Sequence, residues 1–535
     1  MIKDLNNVKA SMLKFRKERA ERASDQVNLS TVKNTDLVNK VTAGLYSKGL
    51  EHDSTTGLAT QADIDTIITA LDSGEQSDFD AIPEAAVSTR KQESPQAALG
   101  FEYMGADPEG VFYQQCPALN SREASGEMME VYERNILRDI PFNIISGDAT
   151  GTGAQETDLA RAIATLNAYG SDFKGPKVGG LVTRKSLFRG VGKDELVGPY
   201  MSQFLLHDIP IGQHTIVQQS VVETGEYGYT AANWEAIQEG SIPVAQTKGA
   251  AQYAFSPRVL GSFVHIDFVY QAFLYASALL LGKGAARNPA FPVLSKESNF
   301  VDASGPVNIA AAIGEISRHA LKATWVNKWR KQLRLRPEAM AGRIVKEEAG
   351  DLPSGTVHPD TFTTGANTIA AVKAFNSDAG RPNGAGDNLA WLPLQFAEGS
   401  PMHPANPAGH ATIAGACGTL LKMFFADGPW TGTGITTGGF NTVQSLNGSS
   451  LVEYTEADAS SMTVHGEIGK LISNMSFGRD FSGVHFRHDG AEGILLGERV
   501  AMEYMVDNSA ATNVNIGTIK FTSADGVTER VVKTV

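Results

Sequence analysis

Apolar residues return at helical spacing in one stretch after another, and this periodicity constrains the fold more than any other feature of the chain. Ile309, Ile313, Ile316, Ala320 and Ala323 advance by three or four positions each, one face of a helix that should run on through Trp329. A second helix opens at Gly409-His410 and carries Leu420, Leu421, Phe424 and Phe425, with Gly428-Pro429 as its stop. Similar patterns run over 467–477 and 493–505. Strand signals are thin until 518–522 and 527–532, which flank Asp525-Gly526 as a hairpin would. No internal repeat is visible. The expected fold is mainly α, built of helical bundles, with minor short strands and a C-terminal β-hairpin.

Charge and cysteine content narrow the function. The 535 residues hold 46 Lys+Arg against 59 Asp+Glu, a net charge of −13. That balance argues against nucleic acid or an anionic membrane as partner. Two cysteines, Cys116 and Cys417, exclude a disulfide scaffold, a Cys-rich zinc site and a four-cysteine iron–sulfur cluster; whether they pair is open. The charged opening MIKDLNNVKASMLKFRKERAERA has no apolar signal-peptide core. The most apolar stretch, 263–282, contains His265, Asp267 and Gln271, and its charge-free part is shorter than the roughly 20 residues that span a bilayer. A buried core helix and a soluble protein are expected, with the compartment undetermined. Residues 1–95 are polar, with little core of their own, and suit subunit contacts. Gly151-Thr152-Gly153 lacks the residues of a phosphate loop and reads as a turn.

Three segments carry chemistry. Lys328-Trp-Arg-Lys-Gln-Leu-Arg-Leu-Arg336-Pro337 would bring Lys328 and Arg336 within roughly 80° on one helix face, with Pro337 freeing the Arg336 guanidinium at the helix end. Taken alone, it could be a solvated basic face. In Ser400-Pro-Met-His403-Pro-Ala-Asn-Pro-Ala408-Gly409-His410, prolines stiffen the approach to a helix whose free N–H groups and dipole favour an oxyanion. Glycine there lets an anion come close to the backbone. In Gly478-Arg479-Asp-Phe-Ser-Gly-Val-His485-Phe-Arg-His488-Asp489, an arginine precedes a histidine by six residues and a carboxylate follows it by four. An acceptor on one imidazole nitrogen would fix the tautomer and free the other nitrogen to coordinate or attack. His488 reads as a surface residue.

In this order the segments resemble the vanadium-dependent haloperoxidases, particularly the bromoperoxidases of red algae and cyanobacteria. The similarity spans about residues 250–505, with a weaker echo in RDIPFNIISGDATGTG. The resemblance implies one vanadate, V(V), per subunit, with His485 as its protein ligand. Lys328, Arg336, Arg479 and the Gly409 backbone N–H would hold the oxygens. His410 would be the acid–base residue, and His403 matches a second histidine of the bromoperoxidases. Lys328 would also polarise bound peroxide, and Asn327 and Trp329 would flank the halide path. A structural calcium is compatible with the resemblance. The implied reaction is oxidation of bromide or iodide by hydrogen peroxide to a hypohalous-acid-like species that halogenates a small organic acceptor. Where algal members usually carry serine, this chain has Ala408, which leaves halide preference open. The alternative is a soluble acid phosphatase, in which His485 would attack phosphorus within the same anion pocket.

Vanadate spreads negative charge over its oxygens, which arginine and lysine complement. Because the segments must meet at one anion, the chain is read as a single integrated unit, 1–535, with an active-site core at 300–505. By resemblance it is a homo-oligomer, a dimer or dodecamer.

Overall fold

The computed structural model describes residues 42–534 apart from 101, 103, 431–440 and 513, together with positions 10, 14, 17 and 18. At the centre lies the helix Gly409–Phe424, packed against the helices Arg487–Ala511, Val464–Phe477 and Pro306–Trp325. Its crossing with Arg487–Ala511 depends on glycine. A Cβ on Gly415 would lie 2.1 Å from the Ile494 carbonyl oxygen, and one on Gly497 would lie 2.0 Å from that of Thr412. Neither backbone can yield by that much, so side chains at these positions would force the helices apart.

The mainly helical architecture follows the sequence closely. Ile309, Ile313, Ile316, Ala320 and Ala323 are all buried, on a helix that Pro306 opens at its first turn. That α-helix ends at Trp325, however, and Val326–Gln332 continues as a π-helix closed by Leu333 at φ 41°. The left-handed conformation costs a leucine about 1 kcal/mol, and π-helical turns concentrate at functional sites. Arg336 is then the extended cap of the next helix, Pro337–Ala349. The expected sharing of one α-helical face by Lys328 and Arg336 is therefore wrong: they occupy different elements, with the chain reversing between them.

Other boundaries move. The central helix stops at Phe424, before Gly428-Pro429, and Phe425 is extended. The third helix starts at Val464, where the Thr463 side chain accepts from the Gly466 N–H, and the fourth runs well past both expected ends. Residues 263–282 do not form one helix. Pro257–Phe263 and Gln271–Gly282 are separated by a non-helical link that carries His265 and Asp267, polar residues that are held by partners elsewhere. The Gly151-Thr152-Gly153 turn opens the helix Gly153–Ala168 through a Thr152–Gln155 capping box.

Among the described residues, strands form four separate two-stranded antiparallel pairs. The C-terminal one pairs Ile519–Thr522 with Glu529–Val532 across Gly526, as expected. The other three, only three to five residues long, are the minor short strands that were expected without positions. Most of 1–41 lies outside the described residues. Residues 42–99 contribute to a small shared core: Leu45, Tyr46, Leu50, Ile64, Ile67 and Leu71 pack around Trp329 and Leu333. Short apolar runs in a polar sequence suffice because the π-helix supplies the other half of that core.

Candidate active site

The extended segment after Leu333 sets the geometry. Side chains two apart on extended backbone face the same way, so Arg334 and Arg336 reach into the same interior region. Arg336 donates from Nε to the His403 carbonyl (2.9 Å) and from Nη1 to that of Val484 (2.7 Å). Its Nη1 also sits 3.1 Å from Nε2 of His485, and its Nη2 lies 3.0 Å from Nδ1 of His403. Lys328 donates to the carbonyls of Pro404 (2.6 Å) and Ala405 (2.9 Å). Arg479 donates to the Val264 carbonyl (2.7 Å), while its buried Nε has no partner.

Among the described residues, these three cations lack a carboxylate partner, as do Arg189, Arg343 and Lys422, whereas most of the molecule's buried arginines have one. Arg134, Arg138, Arg258, Arg334 and Arg487 each pair with a carboxylate. Lys328, Arg336 and Arg479 are at most 4% exposed, bond to carbonyls, and among the described residues have no carboxylate at ion-pairing distance. Burial, with Arg336 next to it, drives the Lys328 ammonium well below its usual range. Burial lowers Arg336 to about 10 and lowers Arg479 too. Three desolvated positive groups around one imidazole leave a deficit that a compact oxyanion fits.

His485 is oriented for that role. Its Nδ1 lies 3.2 Å from Oδ2 of Asp489, which also accepts from the Phe486 N–H. Burial and the Arg336 charge keep its imidazole below the ordinary histidine range, hence neutral. The carboxylate expected four residues on thus fixes the tautomer and turns Nε2 toward Arg336, whose Nη1 lies 3.1 Å away. Asp489 is held below the usual carboxylate range: burial opposes this, but Arg334 and His485 prevail.

The Gly409 end of the central helix completes the set. Ala408 is its cap and offers no side-chain hydrogen bond to the first turn, so that turn's N–H groups remain for another acceptor. A Cβ on Gly409 would meet only Leu321 at 3.4 Å and Trp325 at 3.8 Å. Packing alone does not demand glycine there; close approach of an anion does. His410 places Nε2 2.8 Å from Oδ1 of Asp267. The Asp267 carboxyl sits below its normal range despite burial, because His410 faces it.

His403, Gly409, His410, Arg479 and His485 line a cavity of about 320 Å³, with Trp325 at its wall. Lys328 and Arg336 stand just behind it, through the 403–405 backbone. Asn327 and Trp329 do not reach it, which corrects the expected halide path. Asn327 bonds back to the Ala323 carbonyl, and Trp329 packs on Tyr46. The ring at the cavity is Trp325, tilted on His403 at 4.9 Å. The π-helical turn rotates these positions away from where α-helical steps would put them. His488 is half-buried at the surface, with Nε2 3.3 Å from the Gln114 carbonyl oxygen. Cys116 and Cys417 are both free and buried.

Sequence reasoning missed Asp267 and Arg334. Asp267 had a signal, a carboxylate inside the most apolar stretch. Arg334 donates to Asp489 (2.7 Å) and Glu127 (2.7 Å), and only the extended backbone reveals it. No group of three or more His, Cys, Asp or Glu able to hold a metal ion occurs among the described residues. No helix there is long and apolar enough to cross a membrane.

The fold and the sequence are similar to those of the vanadium-dependent bromoperoxidases. Residues 353–511 match the VCPO second helical-bundle domain. The chain is 26% identical over 540 residues to the vanadium-dependent bromoperoxidase of Corallina pilulifera, covering 88% of each. To that of Ascophyllum nodosum it is 27% identical over 489 residues, covering 88% of this chain and 82% of the relative. The solved homohexameric second vanadate-dependent bromoperoxidase of A. nodosum superposes with a TM-score of 0.81 at 22% identity, over 96% of this chain and 90% of that one.

Proposed function

We propose that this protein is a vanadate-dependent haloperoxidase that oxidises bromide and iodide with hydrogen peroxide. The observation that carries the reading is the buried trio Lys328, Arg336 and Arg479, without carboxylate partners, with Arg336 at His485 Nε2 and Arg479 lining the same cavity as His485. When bound, vanadate supplies Lewis-acid activation of peroxide. One vanadate per chain would be held by His485 Nε2, with Lys328, Arg336, Arg479 and the Gly409 N–H on its oxygens. Lys328 and the two arginines neutralise its charge, and Asp489 fixes the ring that binds it. His410, with one nitrogen engaged by Asp267, keeps its other nitrogen to exchange protons with peroxide. His403, bridging Arg336 and Glu93, orders the cavity mouth.

Stripping the protein with chelator and adding orthovanadate should restore peroxide-dependent bromination of an organic trap, with one vanadium retained per chain. Failure to restore halide oxidation overturns the proposal, and hydrolysis of a phosphate monoester in its place would identify a phosphatase.

Ala408→Ser tests the departure at the helix cap. A serine hydroxyl should accept a first-turn N–H and stabilise the helix by about 1 kcal/mol. The same hydroxyl should alter halide kinetics while vanadate stays bound. Identical bromide and iodide kinetics would show that this position has no part in halide oxidation. The quaternary proposal is a homo-oligomer, supported by the homohexameric relative and by the expectation of a dimer or dodecamer. Light scattering should give a multiple of 57.0 kDa; a lone 57 kDa species refutes it.

A further inference from the structure

A second cavity, of about 450 Å³, shares no lining residue with the first. Ile472, Phe477, Ile494, Leu495 and Ala491 give it an apolar wall, contributed by Val464–Phe477 and Arg487–Ala511. Its size is that of a small-molecule site, in which apolar walls and a few polar groups usually determine the ligand.

The distinctive polar group is Lys422, in the last turn of the central helix. It is 2% exposed, and its ammonium reaches only the Thr522 carbonyl, at 3.5 Å. Among the described residues no carboxylate lies at ion-pairing distance from it. The acidic groups at the cavity are mostly committed elsewhere. Glu127 accepts from Arg334 and the His488 N–H, and Glu123 faces Lys174 at 3.7 Å. Asp525 accepts the Val527 and Thr528 N–H groups. Arg487 on the wall is neutralised by Glu130. Glu492 remains, half-buried.

We propose that this cavity binds a small amphipathic organic monoanion, a carboxylate on an apolar body, with its charge on the Lys422 ammonium and its chain against Ile472, Phe477 and Ile494. Burial lowers the Lys422 pKa against the opposing charges of Glu498, Asp427 and Glu195, none of which pairs with it directly, so an incoming anion supplies the direct counter-charge it lacks. Gly409 and Lys422 are thirteen positions apart on one helix, about 20 Å at 1.5 Å per residue. A molecule on Lys422 therefore lies away from the Gly409 end of that helix, and this binding does not depend on the haloperoxidase reading.

Isothermal titration of the whole protein with octanoate, octanol and octylammonium tests the site, with and without orthovanadate. Octanoate should bind saturably at one site per chain, at least about tenfold tighter than octanol, and orthovanadate should not displace it. Octylammonium should not compete. Lys422→Met should cost octanoate the same factor while leaving octanol unchanged, and Lys422→Arg should retain binding. Leu495→Trp, which fills the cavity from a half-buried wall position, should weaken both octanoate and octanol, and it decides the matter if Lys422→Met does not fold. Equal affinity for octanoate and octanol, or full octanoate binding in Lys422→Met or Leu495→Trp, overturns the proposal. Displacement by orthovanadate would assign the ligand to the vanadate site and overturn it as well.

Discussion

His485→Ala should weaken orthovanadate binding at least about 100-fold and abolish bromide oxidation, while phosphate binding falls by less than about tenfold. The asymmetry follows from the charges. The imidazole is buried and neutral beside Arg336, so its loss removes a coordinating nitrogen and no charge. Lys328, Arg336 and Arg479 keep their carbonyl anchors and continue to attract a tetrahedral oxyanion. Vanadate, which can accept a nitrogen ligand, loses that bond; phosphate, held by charge and hydrogen bonds alone, has little to lose. Equilibrium dialysis of both anions against stripped protein measures the difference. Stoichiometric vanadate in the variant would remove His485 as ligand. An equal collapse of phosphate binding would mean that the ring holds the pocket open rather than coordinating.

The parts of this site that could be read from sequence are those set by local spacing. Arg479, His485 and Asp489 lie on one short turn entering a helix, so an acceptor four residues after the histidine falls where counting puts it. Gly409-His410 at a helix start is likewise local. The first segment was misplaced because its geometry is not α-helical. A π-helix and a left-handed Leu333 leave no periodicity to recognise, and only the packing of Tyr46 and Leu50 on Trp329 and Leu333 secures them. Asp267 comes from a link between two helices that hydrophobicity alone had joined. The cation cluster was legible in composition but not in state: that its members bond to carbonyls, unlike the buried arginines that pair with carboxylates, is a tertiary fact. The net charge of −13 describes the surface, whereas the site is defined by three positive charges brought together from three distant segments.

Arg334→Met should destabilise the vanadate-free protein by about 3–5 kcal/mol at neutral pH, the largest loss expected from a residue that touches no proposed ligand. Arg334 is buried between two carboxylates, donating to Asp489 and Glu127 at 2.7 Å each, and stacks over Phe486. Methionine fills similar volume but leaves both carboxylates without a cation. Asp489 is now held below its unfolded pKa, so it adds stability above that unfolded value, near 3.9, and the contribution is lost as pH falls toward the folded value. Without Arg334 the burial penalty on Asp489 dominates and its pKa rises. The variant's deficit should therefore be greatest near pH 7 and shrink as pH approaches 4, where the carboxylates take up protons. Urea midpoints followed by tryptophan fluorescence across that range give the comparison. A loss below about 1 kcal/mol, or a deficit that grows on acidification, would show that Asp489 draws its low pKa from His485 and the Phe486 N–H instead. Arg334→Lys, which keeps a charge but cannot span both carboxylates, should recover part of the stability and leave His485 less firmly oriented, seen as weaker orthovanadate binding at unchanged phosphate affinity.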